Sequence, residues 1–506
     1  MVNKVTTATV IGLNAYEVSV ETDVQNGLPN FSVVGLPDVS VNEARDRIRS
    51  AIKNSGFTFP KTRIVINLAP ADLKKTGTSF DLPMAVGILI EEEVIEADLI
   101  KDYAFIGELS LNGDLRSVRG VLPLVIGLKE IGIKNIIVPK SNSKEAALAG
   151  DINIYGADNL NEVVNHFTDE KLIPTEADIC SYLSNTDRHI EYDFKDVKGQ
   201  QKAKKALEIA AAGGHNMIMT GSPGSGKTLM AKCFASILPP LELSEALELT
   251  KIYSICGLLS PDKPLMTERP FRAIHHTASA NGIIGGGSTP MPGEITLAHR
   301  GVLFLDEMVE FPRNVLEVLR QPIEDGEIVI SRAKHSIKYP AKFMLLGAMN
   351  PCPCGFAGDK EKQCTCSEFA ISRYMSKLSG PLLDRIDLQV EVPRLTAKEL
   401  MNYDSDAETS LQIRERVIKA RQIQKERYKN ENILTNSELT SEMVKKYCQI
   451  DSSATEIFKA AIVKYALSGR RYDRTLKLAR TIADLDGSEI IEQKHLMQAL
   501  QYRMFD

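Results

Sequence analysis

The densest run of chemistry-bearing residues is Gly221-Ser222-Pro223-Gly224-Ser225-Gly226-Lys227-Thr228, a glycine-rich loop ending in a lysine and a hydroxyl. It follows the apolar run MIMT and precedes the helix-like segment Leu229–Ile237, the context in which such a loop cradles phosphates. Glycines let backbone N–H groups turn inward around a β-phosphate, and the start of the following helix adds its positive end. Lys227 would reach the β- and γ-phosphates of ATP, and Thr228 would coordinate Mg²⁺. Downstream, the apolar run Val302–Leu305 ends in Asp306 and Glu307. Asp306 would hold the Mg²⁺ shell, and Glu307 would act as general base on the attacking water. A further apolar run, Phe343–Met349, ends in Asn350, placed either to orient that water or simply to turn the chain before Pro351.

Phosphoryl transfer spreads negative charge over the γ-phosphoryl oxygens, so an added guanidinium stabilises it. Arg385, in the run Gly380–Asp387, is the candidate finger acting on a neighbouring subunit's nucleotide. Arg470, at the head of the helical segment Gly469–Leu485, is the candidate sensor on the bound nucleotide, with Arg474 one turn on as its competitor. Each has the alternative of an ordinary ion-paired arginine.

Two constellations lie outside this set. Cys352 and Cys354, then nine residues, then Cys364 and Cys366 suit either a tetrahedral structural Zn²⁺ or four reduced thiols in a loop. The segment Glu327–Tyr339 has two alternating stretches around a basic tip and reads as a β-hairpin. Arg332 and Lys334 form that tip, which by itself is also what an ordinary solvated hairpin with lysines on an edge would show.

The elements that must position these groups fall into an α/β multidomain pattern. Residues 1–165 alternate short apolar runs (Arg63–Leu68, Met84–Ile90, Asn135–Val138) with helix-like segments such as Val41–Lys53. Residues 166–190 are polar and read as a linker. Residues 191–393 alternate strand-like runs with helices, the pattern of a parallel sheet covered on both faces. Residues 394–506 show helical spacing throughout, as in a helical lid.

The chain of 506 residues is 43% apolar and 25% charged, an ordinary globular composition for more than one domain. No apolar stretch is long enough to span a membrane and no secretory leader is evident, so a cytoplasmic location and no membrane partner are expected. A net charge of −5 excludes a globally basic nucleic-acid binder, leaving only local patches for such contact.

The ordered set of phosphate loop, Asp306-Glu307 strand, Asn350 strand, Arg385 and a late arginine resembles the AAA+ ATPases. The segment Asp196-Val197-Lys198-Gly199-Gln200 looks like the one that packs on adenine there, which brings Gln200 into the nucleotide site. The glycine-rich insertion around Gly285–Ile295 resembles the helix-2 insert of the magnesium-chelatase and MCM branch, where a hairpin like Glu327–Tyr339 projects into a central pore, a resemblance that makes Arg332 and Lys334 candidates for gripping DNA phosphates.

The resemblance narrows to the bacterial magnesium-chelatase-like YifB/ComM family, through Asn26–Ile52, Pro292–Glu307, Met349–Gly355, Gly380–Leu388 and Ala479–Leu485. It implies a hexameric ATPase and a DNA motor that extends heteroduplex by branch migration, with branched or single-stranded DNA as partner. The alternative it leaves is an ATPase subunit driving metal insertion into a macrocycle.

Within residues 1–165, Thr76–Asp81, Gly107–Gly113 and Gly120–Pro123 resemble the Lon protease domain, a ribosomal S5 domain 2-like fold, and Ser79 falls at its nucleophile position. The base expected just after the Leu-Pro segment is missing: the aligned place is near Leu124 and the next lysine is Lys129. A Lon-like fold without peptidase activity is therefore expected, since a serine with no base in reach is a poor nucleophile.

Overall fold

A computed structural model describes residues 3–184, 191–287, 290–332, 335–359, 361–396, 399, 401 and 407–503. The chain divides into two compact units, Met1–Thr186 with Glu242–Thr267, and Asp187–Leu241 with Glu268–Asp506. Among the described residues no helix is long and apolar enough to cross a membrane.

The first unit is built on a seven-stranded mixed sheet in the order Asn30–Val34, Arg63–Ala69, Asn14–Gln25, Asn3–Ile11, Tyr103–Phe105, Asn135–Pro139, Asn153–Ala157. The pairs around Asn14–Gln25 are antiparallel and the remaining neighbours are parallel. Alternation of buried and accessible side chains along Arg63–Ala69 marks a strand with one face on the core. The apolar run Met84–Ile90, expected as a strand-like run, is instead part of the helix Asp81–Glu91. Asp81 through Ile90 are all buried there, so no polar face remains to reveal a helical period.

Glu242–Thr267 lies inside the span read from sequence as ATPase core, yet it clusters with this first unit. Its helix Leu243–Cys256 delivers Ser254 to the buried Glu145 carboxylate, which accepts from Ser254 Oγ at 2.5 Å, from Leu122 N at 3.1 Å and from Asn142 Nδ2 at 3.2 Å. Burial pushes the Glu145 pKa up, and these three donors offset that cost.

The second unit carries a five-stranded sheet in the order Phe271–Ile274, Val302–Leu305, Met344–Met349, Met217–Thr220, Leu388–Glu391, every pair parallel. All residues of Val302–Leu305 and Met344–Met349 are buried, as both faces of such a sheet require. One hydrophobic core runs from this sheet into the helices Ser410–Arg427, Ser452–Tyr465 and Gly469–Leu485. The last of these begins where Ser468 accepts from Arg471 N, and Ser410–Arg427 begins on a Thr409/Gln412 capping box. The strands Glu327–Arg332 and His335–Pro340 pair antiparallel from Glu327–Pro340 to Arg332–His335, so the hairpin read from the sequence is present. Lys334 and the Arg332 side chain lie outside what is described.

Candidate active site

In a parallel sheet the strand carboxyl ends line one edge, and ligands bind there because loops and helix N-termini converge on it. Here Thr220 leads into Gly221, Leu305 into Asp306 and Met349 into Asn350, on three neighbouring strands. Gly221 N donates to the Met349 carbonyl at 3.2 Å, which ties the loop to the adjacent strand. A Cβ at Gly221 would stand 2.1 Å from the Val392 carbonyl oxygen, so only glycine fits. Gly224 and Gly226 take positive φ, +80° and +92°, and turn the chain into the helix Lys227–Ser236.

Lys227 folds back over this loop. Its Nζ donates to the carbonyls of Gly221 at 2.7 Å and Ser222 at 3.0 Å, with Asn350 Oδ1 at 3.4 Å. Burial lowers the Lys227 pKa against the opposing pull of Asp306 and Glu307. Thr228 Oγ1 donates to Asp306 Oδ2 at 2.8 Å, bringing together the two oxygen ligands expected for Mg²⁺. The Asp306 carboxylate also accepts from Glu307 N at 3.0 Å. Inside the loop, Ser225 Oγ is buried and has no hydrogen-bond partner among the described residues. Loop amides, a desolvated ammonium, an orphaned hydroxyl and a paired Thr-Asp donor set fit a Mg²⁺-polyphosphate.

Glu307 is about half exposed and sits at φ +51°, a left-handed backbone that a non-glycine residue adopts only when held. His276, at the end of Phe271–Ile274, holds Nδ1 3.3 Å from Glu307 Oε2, out of line for a hydrogen bond but close enough for a protonated imidazole to pair. The His276 ring lies edge-on to Phe311, with centroids 6.5 Å apart.

Arg385 and Arg470 meet on one carboxylate that no local sequence pattern marks, that of Glu324. Arg385 pairs with Glu324 through Nη2 and donates Nη1 to the Pro381 carbonyl at 2.7 Å. Its Nε is buried and makes no hydrogen bond among the described residues. Arg470 Nη2 lies 3.5 Å from the other Glu324 oxygen, with its side chain 67% exposed. Arg385, then Arg470 and Arg474, hold Glu324 below the ordinary carboxylate range.

Arg474 is committed to Asp387, with Nη1 2.8 Å from Oδ1, while His215 Nδ1 stands 3.3 Å from Oδ2. Although burial pushes the other way, Arg474 and His215 keep the Asp387 pKa well below the usual value. Gln200 takes φ +55° and donates Nε2 to the Pro393 carbonyl at 2.6 Å, bridging the start of this unit to the end of its last strand.

The four clustered thiols are free cysteines, and their sulfurs all lie within 4.8 Å of one another. Backbone N–H groups of Thr365 and Phe356 pull the Cys354 thiol down to about 5. In the first unit, the Ser79 carbonyl accepts from Gly107 N at 3.1 Å. Lys75 lies four positions before Ser79, fully buried, with its ammonium donated to the Pro70 carbonyl. Burial lowers its pKa. Asp81, pushed up to about 6 by burial, accepts from Arg47 at 2.8 and 3.0 Å.

The sequence matches the family described as magnesium chelatase, subunit ChlI, over residues 193–400, with further ChlI matches over 20–142 and, for its C-terminal part, 407–503. It is 44% identical to competence protein ComM of Haemophilus influenzae over 497 residues, covering 97% of this chain and 96% of that protein. It is 42% identical to the uncharacterized protein YifB of Escherichia coli over 502 residues, 99% of this chain and 96% of that one. The magnesium-chelatase 38 kDa subunit of Rhodobacter capsulatus is 25% identical over 353 residues, 62% of this chain and 88% of that subunit.

Proposed function

The chain belongs to the YifB/ComM family of magnesium-chelatase-like proteins, and on that premise we propose that it is a hexameric AAA+ ATPase that couples Mg-ATP hydrolysis to DNA translocation and branch migration. The observation that carries the ATPase part is the junction at which Thr228 Oγ1 meets Asp306 while Lys227 lies over the phosphate loop beside Asn350. Thr228 and Asp306 would hold Mg²⁺, which would supply charge neutralisation on the phosphate oxygens. Lys227 exchanges its bonds to loop carbonyls for bonds to phosphate, and Asn350 fixes its ammonium. Glu307 orients the water and takes its proton. Arg385 reaches a neighbour's γ-phosphate, and Arg470 rather than Arg474 serves as sensor, because Arg474 is already bound to Asp387. Gln200 would lie on the adenine side, and the four clustered thiols would hold a structural Zn²⁺.

DNA enters the reading through the hairpin Glu327–Arg332/His335–Pro340, whose tip carries Arg332 and Lys334, and through the near-full-length likeness to a competence protein. The first unit, read as Lon-like, serves as a docking scaffold without peptidase activity. Metal insertion, the role of the chelatase subunit, is the second reading. It is favoured by the ChlI matches, and it is less well supported because that relative covers 62% of this chain. ATPase rate and oligomeric state measured with single-stranded, duplex and four-way DNA separate the two. A DNA-stimulated, ring-forming wild type beside an inactive Glu307→Gln supports the motor. An ATPase rate flat across all three DNA forms sinks it.

A further inference from the structure

The cysteine cluster adjoins the phosphate loop at three points. Asn350, two residues before Cys352, faces Lys227 Nζ at 3.4 Å. Gly355, directly after Cys354, has φ +86°, and a Cβ there would stand 2.6 Å from Pro223 Cδ, so its backbone lies against the loop. Asp359, between the two cysteine pairs, accepts from Ser222 Oγ at 2.6 Å through Oδ2. Its Oδ1 accepts from Glu361 N at 2.9 Å and Lys362 N at 3.1 Å, which fixes the carboxylate within its own turn.

The donor set suits zinc on geometric grounds. Tetrahedral coordination at the usual Zn–S length puts sulfurs about 3.8 Å apart. Cys352 and Cys354 sulfurs are 3.3 Å apart, Cys352 and Cys364 3.7 Å, and Cys354 and Cys364 3.5 Å. Ala357 N and Cys366 N point at Cys352 and Cys364 sulfur at 3.3 and 3.4 Å, the donors a metal-bound thiolate accepts from.

We propose that Cys352, Cys354, Cys364 and Cys366 bind one Zn²⁺ that acts as a strut for the phosphate loop, so that zinc occupancy sets nucleotide affinity through Asp359–Ser222 and Gly355–Pro223. This rests on the zinc reading above and adds a task to it. Closing the cysteine loop on a metal removes its freedom in advance, and Ser222 and Pro223 are then held against a fixed surface. The phosphate loop, with positive-φ glycines at Gly224 and Gly226, has backbone freedom to lose and so gains from such preorganisation.

The test uses the full-length protein. Zinc per chain is measured by elemental analysis, and the affinity for a fluorescent ATP analogue is measured before stripping, after stripping with a thiol-blocking mercurial and chelator, and after thiol and zinc are restored. One zinc per chain is expected, with affinity falling roughly tenfold on stripping and recovering on restoration. Asp359→Ala should keep its zinc and lose several-fold in affinity, and Asp359→Asn, which retains an acceptor for Ser222, should recover most of it. A protein without zinc overturns the metal site. Stoichiometric zinc with Asp359→Ala binding nucleotide like wild type overturns the strut while leaving the metal site standing, even where stripping unfolds the protein.

Discussion

At the phosphate loop, charges are gathered and left open: Lys227 is desolvated over carbonyls, and among the described residues Asp306 accepts from a hydroxyl and a backbone amide while Ser225 Oγ has no partner. At the arginines the same unit does the opposite. Arg385 and Arg470 share Glu324, and Arg474 is closed onto Asp387 beside His215. The first cluster awaits an anion, whereas the second already has its anions from within the chain. The neighbour-completed active site proposed above would account for this difference, because the buried Arg385 guanidinium, away from its target, needs a resting counter-ion.

Removing the open cluster should have the largest effect. Lys227→Ala is expected to abolish detectable binding of an ATP analogue, and Glu307→Gln to keep binding while turnover falls by about 10²–10⁴. Equal loss of binding in both variants would mean that Glu307 shapes the loop and is not the base.

The closed cluster is tested next. Arg385→Ala should bind nucleotide normally and lose about 10³-fold or more in turnover. Mixing it with Glu307→Gln should restore part of the rate, because some interfaces then pair an intact Glu307 with an intact Arg385. No restoration would place Arg385 in its own subunit's site. Glu324→Gln removes the resting counter-ion, and the basal rate should rise by up to about fivefold, the scale of a partly exposed ion pair. A rate that falls would make Glu324 a support for Arg385 in its working position.

The open cluster was the more legible from sequence, for a physical reason. Glycines at fixed spacing, an apolar run ending in two carboxylates and an alternating hairpin are local patterns, and Gly221–Thr228, Val302–Glu307 and Glu327–Pro340 carry them. Glu324 pairs with Arg385 across 61 positions and Asp359 with Ser222 across 137, so only the folded chain identifies those carboxylates. The helix Asp81–Glu91 was obscured by its own burial, and the docking of Glu242–Thr267 on the first unit depends on Glu145, far away in the chain.

The smallest expected effect is on stability, and it belongs to the closed cluster. His215 is fully buried between Asp387 and Thr481, with Nε2 2.7 Å from Thr481 Oγ1, and burial lowers its pKa against the pull of Asp387. A histidine whose folded pKa is lowered binds fewer protons folded than unfolded. Its contribution is therefore intact above the unfolded value of about 6.5 and is lost as pH falls below it. Asp387, also depressed, acts with the same sign but only below about 3.9. Between pH 7 and 5 the second unit should thus lose up to about 1.4 kcal/mol per pH unit through His215. Urea denaturation across that range should show a shallower slope for His215→Gln than for wild type, on top of a lower stability at pH 7. A wild type that instead loses less stability than His215→Gln as pH falls from 7 would mean that His215 stays protonated in the fold, with Asp387 as its counter-ion, and the closed cluster would then be ionic throughout.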